Sequence, residues 1–307
     1  MGLATREAYG KALVKLGEEN ENIVVLDADL SKSTKTADFA NQFSNRFINV
    51  GIAEQNLMGI SAGLASYGKI PFASTFAVFA TGRAFEIIRN SICYPQANVK
   101  IAATHAGISV GEDGGSHQSI EDIALMSSLP NMTVLVPADA KETDEIIKYA
   151  AKHQGPVYIR LGRLNAEDIF NDDYVYQYGK GVTLKEGNDV TIMATGLTTA
   201  MAKKACEHLE AANINARLIH MPTIKPIDRE IIEKAAKETK FILTCEEHSV
   251  VGGLGQIVAS VTSETVPTKV VKLGIDDVFG ESGTPQELLE KHGLTVENIV
   301  KLVKENI

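Results

Sequence analysis

The stretch Val99-Lys-Ile-Ala-Ala-Thr104-His105-Ala-Gly107-Ile-Ser-Val-Gly111-Glu112-Asp113-Gly114-Gly115-Ser116-His117-Gln118 carries an apolar strand straight into a loop with two histidines, two acids and four glycines. A short apolar run ending in such a loop is the pattern of a buried parallel strand, with chemistry at its carboxyl end. Glycines let the backbone reach positive φ and approach a ligand closely. Histidines beside acids can exchange protons near neutral pH and bind hydroxyls. A zinc site fits less well, because the histidine spacing is loose and no cysteine joins it.

Outward from this stretch, strand-like and helix-like segments alternate. Helices are predicted over Thr5–Glu18, Glu54–Ser66, Gly82–Ser91, Ile120–Ser127 and Ala140–Lys152. Strands are predicted over Ile23–Leu30, Phe47–Val50, Met132–Val136 and Val157–Leu161. This alternation predicts an α/β fold with a mostly parallel sheet flanked by helices. The polar stretch Asn165–Val182 lacks helical period and reads as a connection, after which a second β/α series starts at Val190–Ala194. The expected organisation is a first domain over 1–170, a linker over 171–186 and a second α/β domain over 187–307.

Composition narrows the function. The 307 residues are 44% hydrophobic and 22% charged, with a formal net charge of −9. An acidic chain of this kind offers no general basic surface for nucleic acid or anionic membrane. No run of about 18 apolar residues suggests a membrane span. Cys93, Cys206 and Cys245 are sparse and lack metal-ligand spacing, which fits a reducing cytoplasm.

Other post-strand loops offer candidates. Asp27-Ala-Asp29-Leu-Ser-Lys-Ser33 reads first as a polar loop capping the next helix. In Asn49-Val-Gly-Ile-Ala-Glu54-Gln55-Asn56, Glu54 falls in a first helical turn, where the dipole alone favours a carboxylate. Phe76 and Phe79 in Ser74-Thr-Phe-Ala-Val-Phe79 are spaced as core aromatics.

Taken together, these segments and the end piece Phe279-Gly-Glu-Ser-Gly-Thr-Pro285 resemble transketolase, over its pyrimidine-binding and C-terminal domains. The resemblance spans nearly the whole chain. It implies ketol transfer between sugar phosphates with thiamine diphosphate. It places Glu54 against the aminopyrimidine, where a carboxyl on a ring nitrogen promotes the tautomer that activates the cofactor. It puts Phe76 and Phe79 on the ring and Asp29 at the pocket border. It gives His105, Asp113 and His117 the sugar hydroxyls, with both histidines assisting proton transfer, and Arg6, Ser33 and Arg163 the phosphate.

Two substitutions depart from the family pattern. Gly82 stands where a third aromatic is common, so pyrimidine packing differs or uses another side chain. Gly115 and Ser116 replace Pro and Thr, which predicts a more flexible loop. The Gly-Asp-Gly motif that binds diphosphate and Mg2+ is not found. The resemblance therefore implies an N-terminal partner chain that binds most of the Mg2+ and diphosphate, in a dimer of heterodimers. No metal site is expected on this chain. Rival readings are the β subunit of a 2-oxoacid dehydrogenase E1 component, deoxyxylulose-phosphate synthase, and a non-catalytic scaffolding homologue. Cys245-Glu-Glu-His248 looks site-like but is assigned a structural or interface role.

Overall fold

In the computed structural model, which describes residues 2–307, there are two sheets, and one of three hydrophobic clusters draws on both of them. The first half runs α1 (Thr5–Glu19), β1 (Ile23–Asp27), α2 (Ser31–Thr34), α3 (Ala37–Gln42), β2 (Phe47–Asn49), α4 (Glu54–Ser66) and β3 (Ile70–Phe76). Two wide π-helical turns, Phe79–Arg83 and Ile88–Cys93, flank the short α5 (Phe85–Ile87). There follow β4 (Lys100–Thr104), α6 (Asp122–Ser128), β5 (Thr133–Leu135), α7 (Ala140–Lys152) and β6 (Val157–Arg160). The second half holds β7 (Val182–Lys185), β8 (Val190–Ala194), α8 (Thr198–Ala211), β9 (Ala216–His220), β10 (Thr223–Lys225) and α9 (Arg229–Glu238). It ends with β11 (Ile242–Ser249), α10 (Leu254–Glu264), β12 (Val270–Ile275), α11 (Pro285–Lys291) and α12 (Val296–Asn306).

The first sheet has seven strands in the order β10-β5-β6-β4-β3-β1-β2, parallel except for β10. The second has five, β12-β11-β8-β9-β7, parallel except for β7. Two expectations change. Gly82–Ser91 is not one α-helix but the π turns around α5. Within the expected 171–186 connection, β7 pairs with β9 in the second sheet.

β1, β4, β5 and β6 are buried along their whole length, as strands covered by helices on both faces must be. Register then aligns the loops that matter. Asp27 sits beside Ser74, and Phe76 beside Thr104, so the carboxyl ends of β1, β3 and β4 open at one edge. β10 is an insertion from the second half into the first sheet, which ties the halves together. The core follows suit: Leu26, Ile101 and Val134 cluster with Met193, Ile232 and Val258.

Candidate active site

At that edge a cleft of about 310 Å3 opens between Ala28, Asp29, Leu30, Ile52, Glu54, Phe79, Arg83, Ser116 and His117. Each wall has a local cause. The Asp27 carboxylate is buried and accepts from Leu30 N at 2.6 Å, Thr34 Oγ1 at 2.6 Å and Thr36 Oγ1 at 2.9 Å. Burial pushes the Asp27 pKa up, and these hydrogen bonds pull against it. Asp27 thus fixes the loop, while Asp29 lines the cleft. Asp29 has φ of 67° and accepts from Asn49 Nδ2 at 3.1 Å. A non-glycine residue at positive φ is strained, and such strain gathers at functional sites.

Glu54 opens α4 and is only 6% exposed, with one oxygen taken by Arg83 Nη1 at 2.9 Å. Phe79 stacks on Phe76 at 5.8 Å, and Phe76 stacks on the His105 ring at 3.8 Å. His117 meets both rings edge-on, at 6.2 Å from Phe76 and 5.3 Å from Phe79. His105 is buried at φ of 57°, and its Nδ1 pairs with Thr104 Oγ1 at 2.9 Å. Burial first, then Arg6, Arg163 and His117, lowers the His105 pKa to about 3. The ring is therefore neutral at physiological pH and acts as a hydrogen-bonding group.

The cationic residues lie beside this stack. Thr5 Oγ1 accepts from Gly162 N at 2.8 Å, which brings the start of α1 to the end of β6. Arg6 donates to the Ser33 carbonyl at 2.9 Å, and its Nε is buried without a partner. Burial is the main cause that lowers the Arg6 pKa, and the Arg163 charge adds to it. Arg163 pairs with Glu112 at 3.0 Å and donates to the Val110 carbonyl.

The structure thus brings Asp29, Glu54, Phe76, Phe79, His105 and His117 together, with Arg6, Ser33 and Arg163 joined to the same edge. Asp113 is not drawn in: it is exposed, and among the described residues it makes no side-chain hydrogen bond. Sequence reasoning missed Arg83 and Glu112. Arg83 stands four residues after Phe79, a spacing at which helical side chains meet.

The loop around Gly115 is held, not loosened. A Cβ at Gly115 would lie 2.5 Å from the Gly280 carbonyl oxygen. Gln118 Nε2 donates to the Glu281 carbonyl at 2.9 Å. Contacts from the second half, whose backbone presses against this position, oppose the expected flexibility. Further in, Glu247 Oε1 accepts from Ser109 N at 2.6 Å. Glu246 caps α10 through Leu254 N and Gly255 N, and burial raises its pKa to about 7. His248 Nε2 accepts from Ala124 N at 3.3 Å. The Cys245–His248 cluster is therefore engaged within the fold and away from the cleft.

The family profile "Transketolase, pyrimidine binding domain" matches residues 1–168, and "Transketolase, C-terminal domain" matches 179–299. The chain is 50% identical over 305 residues to a putative transketolase C-terminal section of Methanocaldococcus jannaschii, covering 98% of this chain and 96% of that one. It is 39% identical over 306 residues to human transketolase, covering 98% of this chain but 49% of the human protein. A split-gene transketolase solved as an inactive β4 tetramer superposes with a TM-score of 0.93 at 63% identity, covering 99% of this chain and 98% of that one.

Proposed function

The chain belongs to the transketolase family, and from that premise we propose that it works as the C-terminal subunit of a two-chain transketolase, transferring a two-carbon ketol unit from a ketose phosphate to an aldose phosphate. The observation that carries this is the cleft in which the nearly buried Glu54 carboxylate faces the Phe79 and His117 rings. Nothing in the comparisons favours the oxoacid dehydrogenase, deoxyxylulose-phosphate synthase or scaffold readings.

The residues fit one end of thiamine diphosphate. A flat N–H donor already bonds Glu54 and lies over Phe79, in the form of the Arg83 guanidinium. The same pair suits an aminopyrimidine, with Asp29 at the border and Phe76 backing Phe79. When bound, thiamine diphosphate supplies the carbon nucleophile and electron sink for breaking a bond next to a carbonyl. Glu54 then holds a proton at the ring nitrogen. Neutral His105 bonds a substrate hydroxyl, and His117 exchanges a proton at the cleft edge. Asp113 is assigned the remaining substrate hydroxyl contacts. Arg6, Ser33 and Arg163 receive the sugar phosphate, which guanidinium groups bind with charge-assisted hydrogen bonds.

The diphosphate and Mg2+ are assigned to an N-terminal partner chain. The matched profiles are the pyrimidine-binding and C-terminal domains, and the chain spans about half the length of the human relative. The working assembly is a dimer of heterodimers, since closed two-fold symmetry is the commonest arrangement. Among the described residues no helix is long and apolar enough to cross a membrane. Three buried free cysteines agree with a cytoplasmic protein.

The test is a coupled ketol-transfer assay with pentose phosphates, thiamine diphosphate and Mg2+. It is run on this chain, on the N-terminal partner, and on their mixture. Activity should appear only in the mixture. Glu54→Gln should cut it by about 10²–10⁴-fold, the usual worth of a positioned proton-transfer group, while assembly by size-exclusion chromatography stays intact. Undiminished turnover in the variant would remove Glu54 from the mechanism.

A further inference from the structure

Arg83 lines the cleft yet has no task in the reading above. Its Nη1 donates to Glu54 Oε1 at 2.9 Å, and its guanidinium carbon lies 4.3 Å from the Phe79 ring centroid. Its backbone carbonyl accepts from Gln55 Nε2 at 3.2 Å, which anchors the turn to α4 while the side chain remains 53% exposed. The guanidinium is planar, donates N–H bonds to carboxylates and stacks on aromatic faces. Those two contacts, an N–H on Glu54 and a flat face on Phe79, are the ones the proposed function gives to the aminopyrimidine ring.

We propose that Arg83 is a placeholder for that ring, competing with the cofactor for Glu54 and Phe79 and swinging out to admit it. Three observations support it. The two partners are the cofactor residues themselves, not neighbours of them. The arginine is half exposed, so its pair is of the weak, displaceable kind. Space is open at the adjacent residue, since a Cβ at Gly82 would meet nothing within 4 Å. The third aromatic expected near Gly82 is thus replaced by a movable cation. The pairing also keeps a nearly buried carboxylate from standing alone, which is costly. The inference rests on Glu54 being the cofactor's carboxylate.

The sign of one measurement separates this from a positioning role. Arg83→Met keeps the aliphatic stem and removes the guanidinium. In the complex with the N-terminal chain, calorimetric titration of thiamine diphosphate with Mg2+ should give a Kd roughly three- to thirtyfold lower than wild type, the combined scale of an exposed ion pair and a cation–π contact. Arg83→Lys, which keeps charge but not the flat face, should fall between. An unchanged or weaker Kd in the Met variant overturns the proposal. If wild type and both variants bind no thiamine diphosphate at all, the cofactor reading fails and takes this inference with it. A second readout needs no partner. On this chain alone, 4-amino-5-(hydroxymethyl)-2-methylpyrimidine should give stronger saturation-transfer NMR signals with Arg83→Met than with wild type. Equal signals would count against displacement.

Discussion

Replacing Arg160 by Met should be the most destabilising single change at the junction of the two halves, and its cost should depend on pH. Arg160 is 7% exposed and pairs through Nε with Asp122 Oδ2 at 2.8 Å. Its Nη2 donates to the Glu247 carbonyl at 2.9 Å and the Ser119 carbonyl at 3.3 Å. Asp122 is fully buried, accepts from Tyr158 OH at 2.7 Å, and has Oδ1 without a partner. Burial works against its charge, but Arg160 and His248 with the hydrogen bonds hold its pKa below the usual value. A carboxyl depressed on folding contributes stability above its unfolded pKa, and that stability is lost as pH falls through the folded pKa. Without Arg160, burial dominates and Asp122 must fold protonated. Forcing that at pH 7 against an unfolded pKa near 3.9 costs about 4 kcal/mol, and at pH 5 about 1.5 kcal/mol. The orphaned Glu247 carbonyl adds roughly 1–3 kcal/mol at either pH, while the Ser119 carbonyl keeps its bond from Gly107 N. Urea unfolding at pH 5 and 7 measures the difference. The double variant Arg160→Met/Asp122→Asn should lose the pH dependence. A cost under about 1 kcal/mol at pH 7, or equal costs at the two pH values, would refute the reasoning.

Other outcomes follow from the same geometry. Gly115→Ala should cost about 1–3 kcal/mol, because its Cβ meets the Gly280 carbonyl oxygen at 2.5 Å. Gly82→Ala, with open space and an ordinary φ, should instead gain about 0.5–1 kcal/mol, both changes being read by urea unfolding. His105 is held at about 3 against an unfolded value near 6.5, so it contributes stability that is full above pH 6.5 and lost as pH falls toward 3. At pH 5 wild type should have lost about 2 kcal/mol that His105→Asn does not lose, Asn being tolerant of the positive φ there. Parallel stability curves for the two proteins would place the histidine proton elsewhere.

What the sequence revealed follows from where its signals are local. Glu54–Ser66, Ala140–Lys152 and Val190–Ala194 end where pattern and turn residues place them. β3 was invisible to pattern, because Ile70-Pro-Phe-Ala-Ser-Thr-Phe mixes a proline and small polar residues and is almost wholly buried. β10 has three residues, and only its pairing with β5 across the chain makes it a strand. Asp29, Glu54, His105 and His117 were legible because they follow strands, and parallel register brings strand ends together; Arg6, inside α1, came only through the resemblance. Arg83 was not, because an arginine in an amphipathic stretch reads as solvent-facing. Its partner Glu54 lies 29 residues away, and no spacing rule links them.

The second half earns its place through the loop rather than the cleft. Residues 107–118 contain glycines at φ of 84°, 85° and 77°, a backbone with many conformations to lose on ordering. A loop of that composition does not hold His105 and His117 by itself. Three contacts from beyond β7 restrain it: Glu247 on Ser109, Gly280 against Gly115, and the Glu281 carbonyl on Gln118. All use backbone groups or buried side chains, so none depends on the chemistry of the transferred sugar. The second domain can then contribute no residue to the cleft and still set its precision. A weakened contact here should loosen both histidines together and leave Glu54, anchored on α4, where it is.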